Sequence, residues 1–116
     1  RKAYGSAYLA MGSKVCGADM VFAYPTAEIA IMAPEGAANI IYSEEISASA
    51  NPVACREEKI AEYRDVVAAP YTAAKNGYID DIIEPDSTRP RLISALEMLA
   101  TKRVSSVAKK HVNMPL

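Results

Sequence analysis

The sequence predicts an α/β fold in which helices outnumber strands. Three observations carry this. Residues 20–24 and 29–33 are short continuous apolar runs bounded by turn residues, the length and composition of strands buried on both faces. Longer segments place apolar residues at helical spacing. Proline and glycine fall where such segments would begin and end.

Element by element, residues 5–17 read as a first helix, with Tyr8, Met11 and Val15 at i, i+3 and i+7 and Gly17 as its C-cap. Pro25-Thr26 divides the two apolar runs, and Pro34-Glu35-Gly36 turns the chain into a helix through Ile40, Ile41 and Ile46, with Glu44-Glu45 solvated. Asn51-Pro52 is a cap followed by proline at the first helical position. Val53, Ile60 and Val67 then recur every seven residues as the buried stripe of a charged helix that Pro70 breaks. Residues 70–77 form a short helix ended by Gly77, and residues 78–83 a short strand. Asp86, Ser87 or Thr88 caps a last helix with Leu92, Leu96 and Leu99 on one face. The predicted order is helix, strand, strand, helix, helix, strand, helix. The chain begins at Arg1 within a motif, as a piece of a longer protein would.

Composition excludes several classes of function. Thirteen basic and fourteen acidic residues nearly cancel, which leaves no electrostatic footprint for nucleic acid or a membrane surface. No apolar run reaches the roughly 20 residues that span a bilayer, and the chain reads as cytoplasmic. A compact chain of this length would bury about two thirds of its unfolded surface. Cys16 and Cys55 read as free buried thiols rather than a disulfide. With His111 the only histidine, no Ser-His or Cys-His pair and no metal cluster is expected. No P-loop or dinucleotide fingerprint occurs. Asp80 and Asp81 are neighbours in a strand and so point to opposite faces; they read as a solvated strand end, not a proton-sharing pair.

Two places remain, Gly5-Ser6-Ala7 and Gly36-Ala37-Ala38, where small residues open a helix. First-turn amides are unpaired, and small side chains let a ligand oxygen approach them. Such amides can stabilise an oxyanion without any side-chain acid. The same residues also suit close helix–strand packing, and spacing alone does not choose between the two.

The segments "RKAYGSAYLAMGSK", "GADMVFAYPTAEIAIMAPEGAANIIY", "AAPYTAAKNGYIDDIIEPDSTRPRLISALEML" and "KKHVNMPL" closely resemble the carboxyltransferase subunit of biotin-dependent acyl-CoA carboxylases, in order and over the whole chain. The resemblance implies a crotonase-like ββα fold, with residues 1–116 forming the C-terminal part of the subunit's C-terminal domain. It implies an enzyme that moves a carboxyl group between carboxybiotin and the alpha carbon of a short acyl-CoA, propionyl-CoA giving methylmalonyl-CoA. The alternative is the alpha chain of a biotin-dependent, sodium-pumping methylmalonyl-CoA decarboxylase. Implied partners are a biotin carboxyl carrier protein, a biotin carboxylase subunit and further copies in a dimer of trimers, with biotin carried on the partner. The piece alone would then be a non-catalytic assembly module.

Site residues follow from the same resemblance. The family motif R-K-A-Y-G-G-A-Y supplies an oxyanion hole at its second glycine and alanine, which correspond to the backbone amides of Ser6 and Ala7. Ser6 replaces the glycine and keeps its amide if the backbone there is helical; a positive φ would strain it. Whether a thioester or a ureido oxygen is held stays open. Gly5, Tyr8 and Leu9 fall at substrate-contacting positions, Leu9 at one that sets acyl-chain preference. Gly36 and Ala37 form a second candidate place, near biotin, although Ala33-Pro34 departs from the family's M-G-A-x-G-A. A crotonase-type hydratase would share the amide hole but add catalytic glutamates, for which Glu28 and Glu35 are the nearby candidates. Lys109, Lys110 and His111 match the family's basic ending and are expected at a surface or subunit contact.

Overall fold

The computed structural model describes residues 2–105. Its strands are β1 (Lys2–Tyr4), β2 (Phe22–Ala23), β3 (Glu28–Ala30) and β4 (Asp81–Ile82). Its helices are α1 (Ser6–Ala10), α2 (Pro34–Ile41), α3 (Ser43–Ala48), α4 (Pro52–Glu62), α5 (Pro70–Lys75) and α6 (Thr88–Leu99). Short 3-10 turns at Lys14–Cys16 and Pro85–Ser87 and a π-turn at Tyr63–Val67 complete the path. The strands form two parallel pairs. In one, β1 lies on β3 with Lys2 opposite Glu28 and Tyr4 opposite Ala30; in the other, β2 lies on β4 with Phe22 opposite Asp81.

The α/β class holds, and the punctuation residues act where expected. Gly17 ends its turn in the left-handed region, at φ 89°. The Asn51 side chain accepts from the Ala54 amide at 3.3 Å, and Pro52 occupies the first turn of α4. Pro34 and Pro70 likewise sit in the first turns of α2 and α5. The predicted helix over 5–17 is divided instead, because Gly12 takes φ 86° after α1 and the buried Ser13 then caps the 3-10 turn through the Cys16 amide. The helix expected through Ile46 breaks at Tyr42 into α2 and α3. At α6, Ser87 and Thr88 turn their hydroxyls back to the carbonyls of Glu84 and Pro85, so no side chain caps the helix.

One predicted stripe is corrected. Val53 is 70% exposed and Val67 is also exposed, while Tyr63 is the buried residue of this region. For Val67 the reason is phase: the Ala68 amide reaches the Tyr63 carbonyl at 3.0 Å, and this wider π-turn rotates everything after it relative to a seven-residue repeat. Val53 lies before the π-turn, in the first turn of α4, and its exposure has no part in that shift. Arg56 instead donates to Asn39 at 2.8 Å, and the Lys59 ammonium sits 4.8 Å from the centre of the Tyr42 ring. On α6, Ala95 is buried while Leu92 and Leu96 are exposed. Cys16 and Cys55 are free but not buried, Cys16 being exposed and Cys55 half-buried.

The core consists of two small clusters on opposite faces of β3. Ala23, Ala73 and Ile79 pack with Ile29 on one face, and Ala37, Tyr63 and Ala68 pack with Ala30 on the other. The run 29–33, expected to be buried on both faces, is only half-buried at Ile29 and Ala30, and Ile31 is 84% exposed. The accessible surface is 8728 Å², against about 6,200 Å² for a compact chain of this mass. The radius of gyration of 19.2 Å likewise exceeds the roughly 13 Å of a compact domain of this length. The expected burial of two thirds is therefore not reached, because each sheet has only two strands and its apolar neighbours lack cover. Alone in solution this chain is expected to self-associate and bind a hydrophobic dye, with light-scattering mass rising with concentration. A constant monomer mass with no dye fluorescence would contradict this.

Candidate oxyanion site and apolar cavities

The Gly5 turn is built by the ladder that precedes it. Pairing of β1 on β3 continues one residue further, with the Gly5 amide donating to the Ala30 carbonyl at 2.9 Å. Gly5 then takes φ 53° and ψ −118°, which swings the chain out of the sheet into α1. A side chain would not fit: a Cβ at this position would lie 3.0 Å from the Ile31 carbonyl oxygen. Ser6 and Ala7 occupy the first two positions of α1, where a helix supplies no carbonyl for its amides. Among the described residues positive φ occurs only at glycines, so Ser6 has an unstrained backbone and retains its N–H. The strain that the sequence left open at Ser6 belongs to Gly5.

The second candidate place is different. The Gly36 and Ala37 amides both donate to the Ala33 carbonyl at 3.0 Å, and Pro34 has no N–H. The expectation of unpaired amides at Gly36 and Ala37 is therefore corrected, and the Glu35 amide is the one that this turn leaves without a helical carbonyl. Ala37 is fully buried against Tyr63 and Ala68.

Two apolar cavities flank α1. One, of about 530 Å³, is lined by Gly5, Tyr8, Leu9, Ile31, Tyr63 and Tyr78 among others. The other, also about 530 Å³, has Tyr8, Met11, Met20, Phe22, Tyr24 and Leu92 in its wall. Tyr8 and Ile29 border both. The Tyr8 hydroxyl donates to the Tyr78 carbonyl at 3.2 Å, and the two rings meet edge to face with centroids 6.5 Å apart. Of the residues singled out from sequence, Gly5, Tyr8 and Leu9 thus share one cavity. Ser6 and Ala7 follow directly on the exposed start of α1 and line neither cavity, as is also true of Gly36 and Ala37. Lys109, Lys110 and His111 lie outside the described residues.

A polar network behind the Gly5 turn was not anticipated. The Tyr4 hydroxyl donates to Glu28 Oε2; Arg64 Nε lies 3.5 Å from the same oxygen, and Arg64 Nη2 bonds Glu35 Oε1 at 3.2 Å. The 3.5 Å approach is an ion pair rather than a hydrogen bond, since the buried Nε has no acceptor in bonding geometry. The sequence signal was an acid, Glu28, inside an apolar strand, which demands a partner. Nothing in the charged 56–65 segment distinguishes Arg64 as that partner. Both glutamates are engaged by Arg64, so neither stands free as a hydratase acid. Asp80 is exposed as expected, yet it is not merely solvated: it pairs with Lys14 at 2.7 Å and accepts from the Val21 amide, while Asp81 pairs with Arg91.

This network has a pH signature. Burial, and then the Glu28 carboxylate, push the Tyr4 phenol up to about 12. The Tyr4 hydrogen bond holds Glu28 below the ordinary carboxylate value against the opposing effect of burial, with the Lys2 and Arg64 charges assisting. A raised tyrosine stabilises the folded state fully below its unfolded value of 10.0, and that contribution disappears as pH rises through about 12. The Glu28 contribution is present above the unfolded carboxylate value and disappears as pH falls through the depressed one. Tyr4→Phe should therefore flatten the loss of melting temperature between about pH 10 and 12. Parallel wild-type and variant curves in circular-dichroism melts would refute it.

Among the described residues no helix is long and apolar enough to cross a membrane. Comparison with known proteins places the chain in context. The sequence pattern of the carboxyl transferase domain matches residues 1–114. The chain is 57% identical to a propionyl-CoA carboxylase carboxyltransferase subunit of Haloferax mediterranei and 52% identical to a methylmalonyl-CoA decarboxylase subunit alpha of Propionigenium modestum. Both matches cover 100% of this chain and 22% of the relative, so the chain spans about a fifth of their length. A transcarboxylase 12S crystal structure, a hexamer holding methylmalonyl-coenzyme A and methylmalonic acid, superimposes with a TM-score of 0.89 at 54% identity, over 100% of this chain and 22% of that one. The described residues adopt part of the crotonase-like fold of the carboxyltransferases. With the match running through nearly every residue, the chain belongs to the carboxyl transferase domain family.

Proposed function

We propose that residues 1–116 are the C-terminal part of the C-terminal domain of a carboxyltransferase subunit acting on a short acyl-CoA, propionyl-CoA giving methylmalonyl-CoA. The observation that carries this is the Gly5 turn, which opens two helix-start amides beside an apolar cavity within a carboxyl transferase chain. Biotin, borne on a partner, supplies the carboxyl group. The donor set fits such chemistry, because both the thioester and the ureido group present an oxygen to unpaired N–H groups. As the alpha proton passes to the biotin nitrogen that would give up the carboxyl group, its electron pair spreads onto the thioester oxygen, and the Ser6 and Ala7 amides hold charge of that kind without giving up a proton. Gly5 lets the backbone come close, while Tyr8 and Leu9 form an apolar wall for the acyl chain. On the biotin side Gly36 and the buried Ala37 act through the backbone of the first turn of α2 rather than as donors, Ala37 anchoring that turn against Tyr63 beside the free Glu35 amide.

The working enzyme is a cytoplasmic assembly of this subunit, arranged as a dimer of trimers, with a biotin carboxyl carrier protein and a biotin carboxylase. The test is direct. Full-length subunit is incubated with methylmalonyl-CoA and free biotin, and propionyl-CoA formation is followed by mass; none above the biotin-free control would sink the reading. The 116-residue chain alone should give no turnover. A second reading, the alpha chain of a sodium-pumping decarboxylase, is favoured by the Propionigenium relative. Purification of the native complex separates the two, as an ATP-consuming biotin carboxylase or a membrane-embedded decarboxylase subunit will accompany the chain.

A further inference from the structure

We propose that Arg64 is a positioning residue, which locks the turn at Gly5 to the first turn of α2 so that the backbone groups of both stay in register during carboxyl transfer. This rests on the reading above that those turns face the reacting groups. Arg64 has two engaged arms. Its Nε lies 3.5 Å from Glu28, which accepts the hydroxyl of Tyr4, the residue immediately before Gly5. Its Nη2 lies 3.2 Å from Glu35, the residue at the start of α2 whose amide is uncommitted. One guanidinium therefore ties β1, β3 and α2 together.

The π-turn makes this reach compatible with the rest of the fold. The Ala68 carbonyl accepts from the Ile29 amide at 2.8 Å, one residue along β3 from Glu28. The extra residue in the turn lets Arg64 face Glu28 while Ala68 still docks on the same strand. Burial sets the directions. Arg64 Nε is removed from solvent with Glu28 as its ion-pair partner, while the rest of the guanidinium, on a side chain 41% exposed, reaches out to Glu35. A lysine could serve one carboxylate or the other but lacks the planar fork that meets both.

The experiment is steady-state carboxyl transfer by the full-length subunit, with hexamer integrity checked by light scattering. Arg64→Met and Arg64→Lys are expected to lower kcat by about ten- to a hundredfold, with KM for the acyl-CoA changed by less than about threefold. Charge replacement alone would not rescue the loss. Should either variant fail to assemble, Glu35→Ala severs only the exposed arm, and it is expected to lower kcat severalfold at unchanged KM. Unchanged kcat in assembled Arg64→Met, or full rescue by Arg64→Lys, overturns the positioning role. Unchanged kcat in Glu35→Ala overturns it equally where the arginine variants do not assemble. Ser6→Pro run beside them keeps the two ideas apart: full activity there removes the amide reading, whereas an inactive Ser6→Pro with an active Arg64→Met removes only the role of Arg64.

Discussion

Ser6→Pro in the full-length subunit is expected to lower kcat for carboxyl transfer by roughly a hundred- to a thousandfold, the loss of one oxyanion donor worth about 3–4 kcal/mol. The substitution is unusually clean. Ser6 occupies the first position of α1, where proline is tolerated because the fixed φ suits a helix and the missing N–H had no helical partner. Gly5 ahead of it has no Cβ to clash with the proline ring. The fold should therefore survive while one proposed donor disappears. Ser6→Gly keeps the N–H and restores the glycine of the family motif, so it should retain activity. Ser6→Ala separates the amide from the hydroxyl and should behave like wild type. If instead Ser6→Ala were as inactive as Ser6→Pro, the hydroxyl rather than the backbone would be the working group. A fully active, assembled Ser6→Pro would place the oxyanion donors elsewhere.

How far the sequence disclosed this arrangement depended on the range of the interactions involved. The Asn51 cap, the prolines at helix starts and the Gly17 stop are local, and each acted where it was read. Strand β1 was missed because Lys2-Ala3-Tyr4 has no strand pattern of its own. It is a strand only through pairing with Glu28-Ile29-Ala30, more than twenty residues away. The Val53, Ile60 and Val67 stripe failed at Val67 because the π-turn changes phase, which a fixed seven-residue spacing cannot show, and at Val53 because the first turn of α4 is left exposed. The leucines of α6 were correctly placed on a helix, where Leu92 and Leu96 are exposed and Leu99 is half-buried.

The same division runs through the candidate site. Gly5, Tyr8 and Leu9 came from the motif and do meet in one cavity. The pairing of Gly36 and Ala37 amides with Ala33 could not be read, since it depends on how tightly the first turn of α2 winds. Nor could the role of Arg64 be read, because a helix rich in charge gives no reason to prefer one arginine. Only the acid at Glu28, set between apolar residues, hinted that some cation had to come from afar.

Gly5→Ala should be the most damaging single-methyl change in the turn, and for a reason separate from that of Ser6→Pro. At φ 53° and ψ −118° an L residue is strained by about 1–3 kcal/mol before any contact is considered. The added Cβ would then press on the Ile31 carbonyl oxygen at 3.0 Å. That carbonyl has little room to yield, because β3 is held from both sides, by the Gly5 amide on Ala30 and by the Ile29 amide on Ala68. Relief requires the Gly5 turn itself to rotate, which carries the Ser6 and Ala7 amides away from any oxygen they serve. Melting temperature and kcat should therefore fall together in the full-length subunit, kcat by at least about tenfold. Gly36→Ala provides the contrast in stability: its Cβ meets nothing within 4 Å and its φ is not positive, so it should leave the melting temperature unchanged or raise it. A Gly5→Ala subunit that melts and turns over like wild type would mean that the turn relaxes freely. The amides of α1 would then have no fixed direction to contribute.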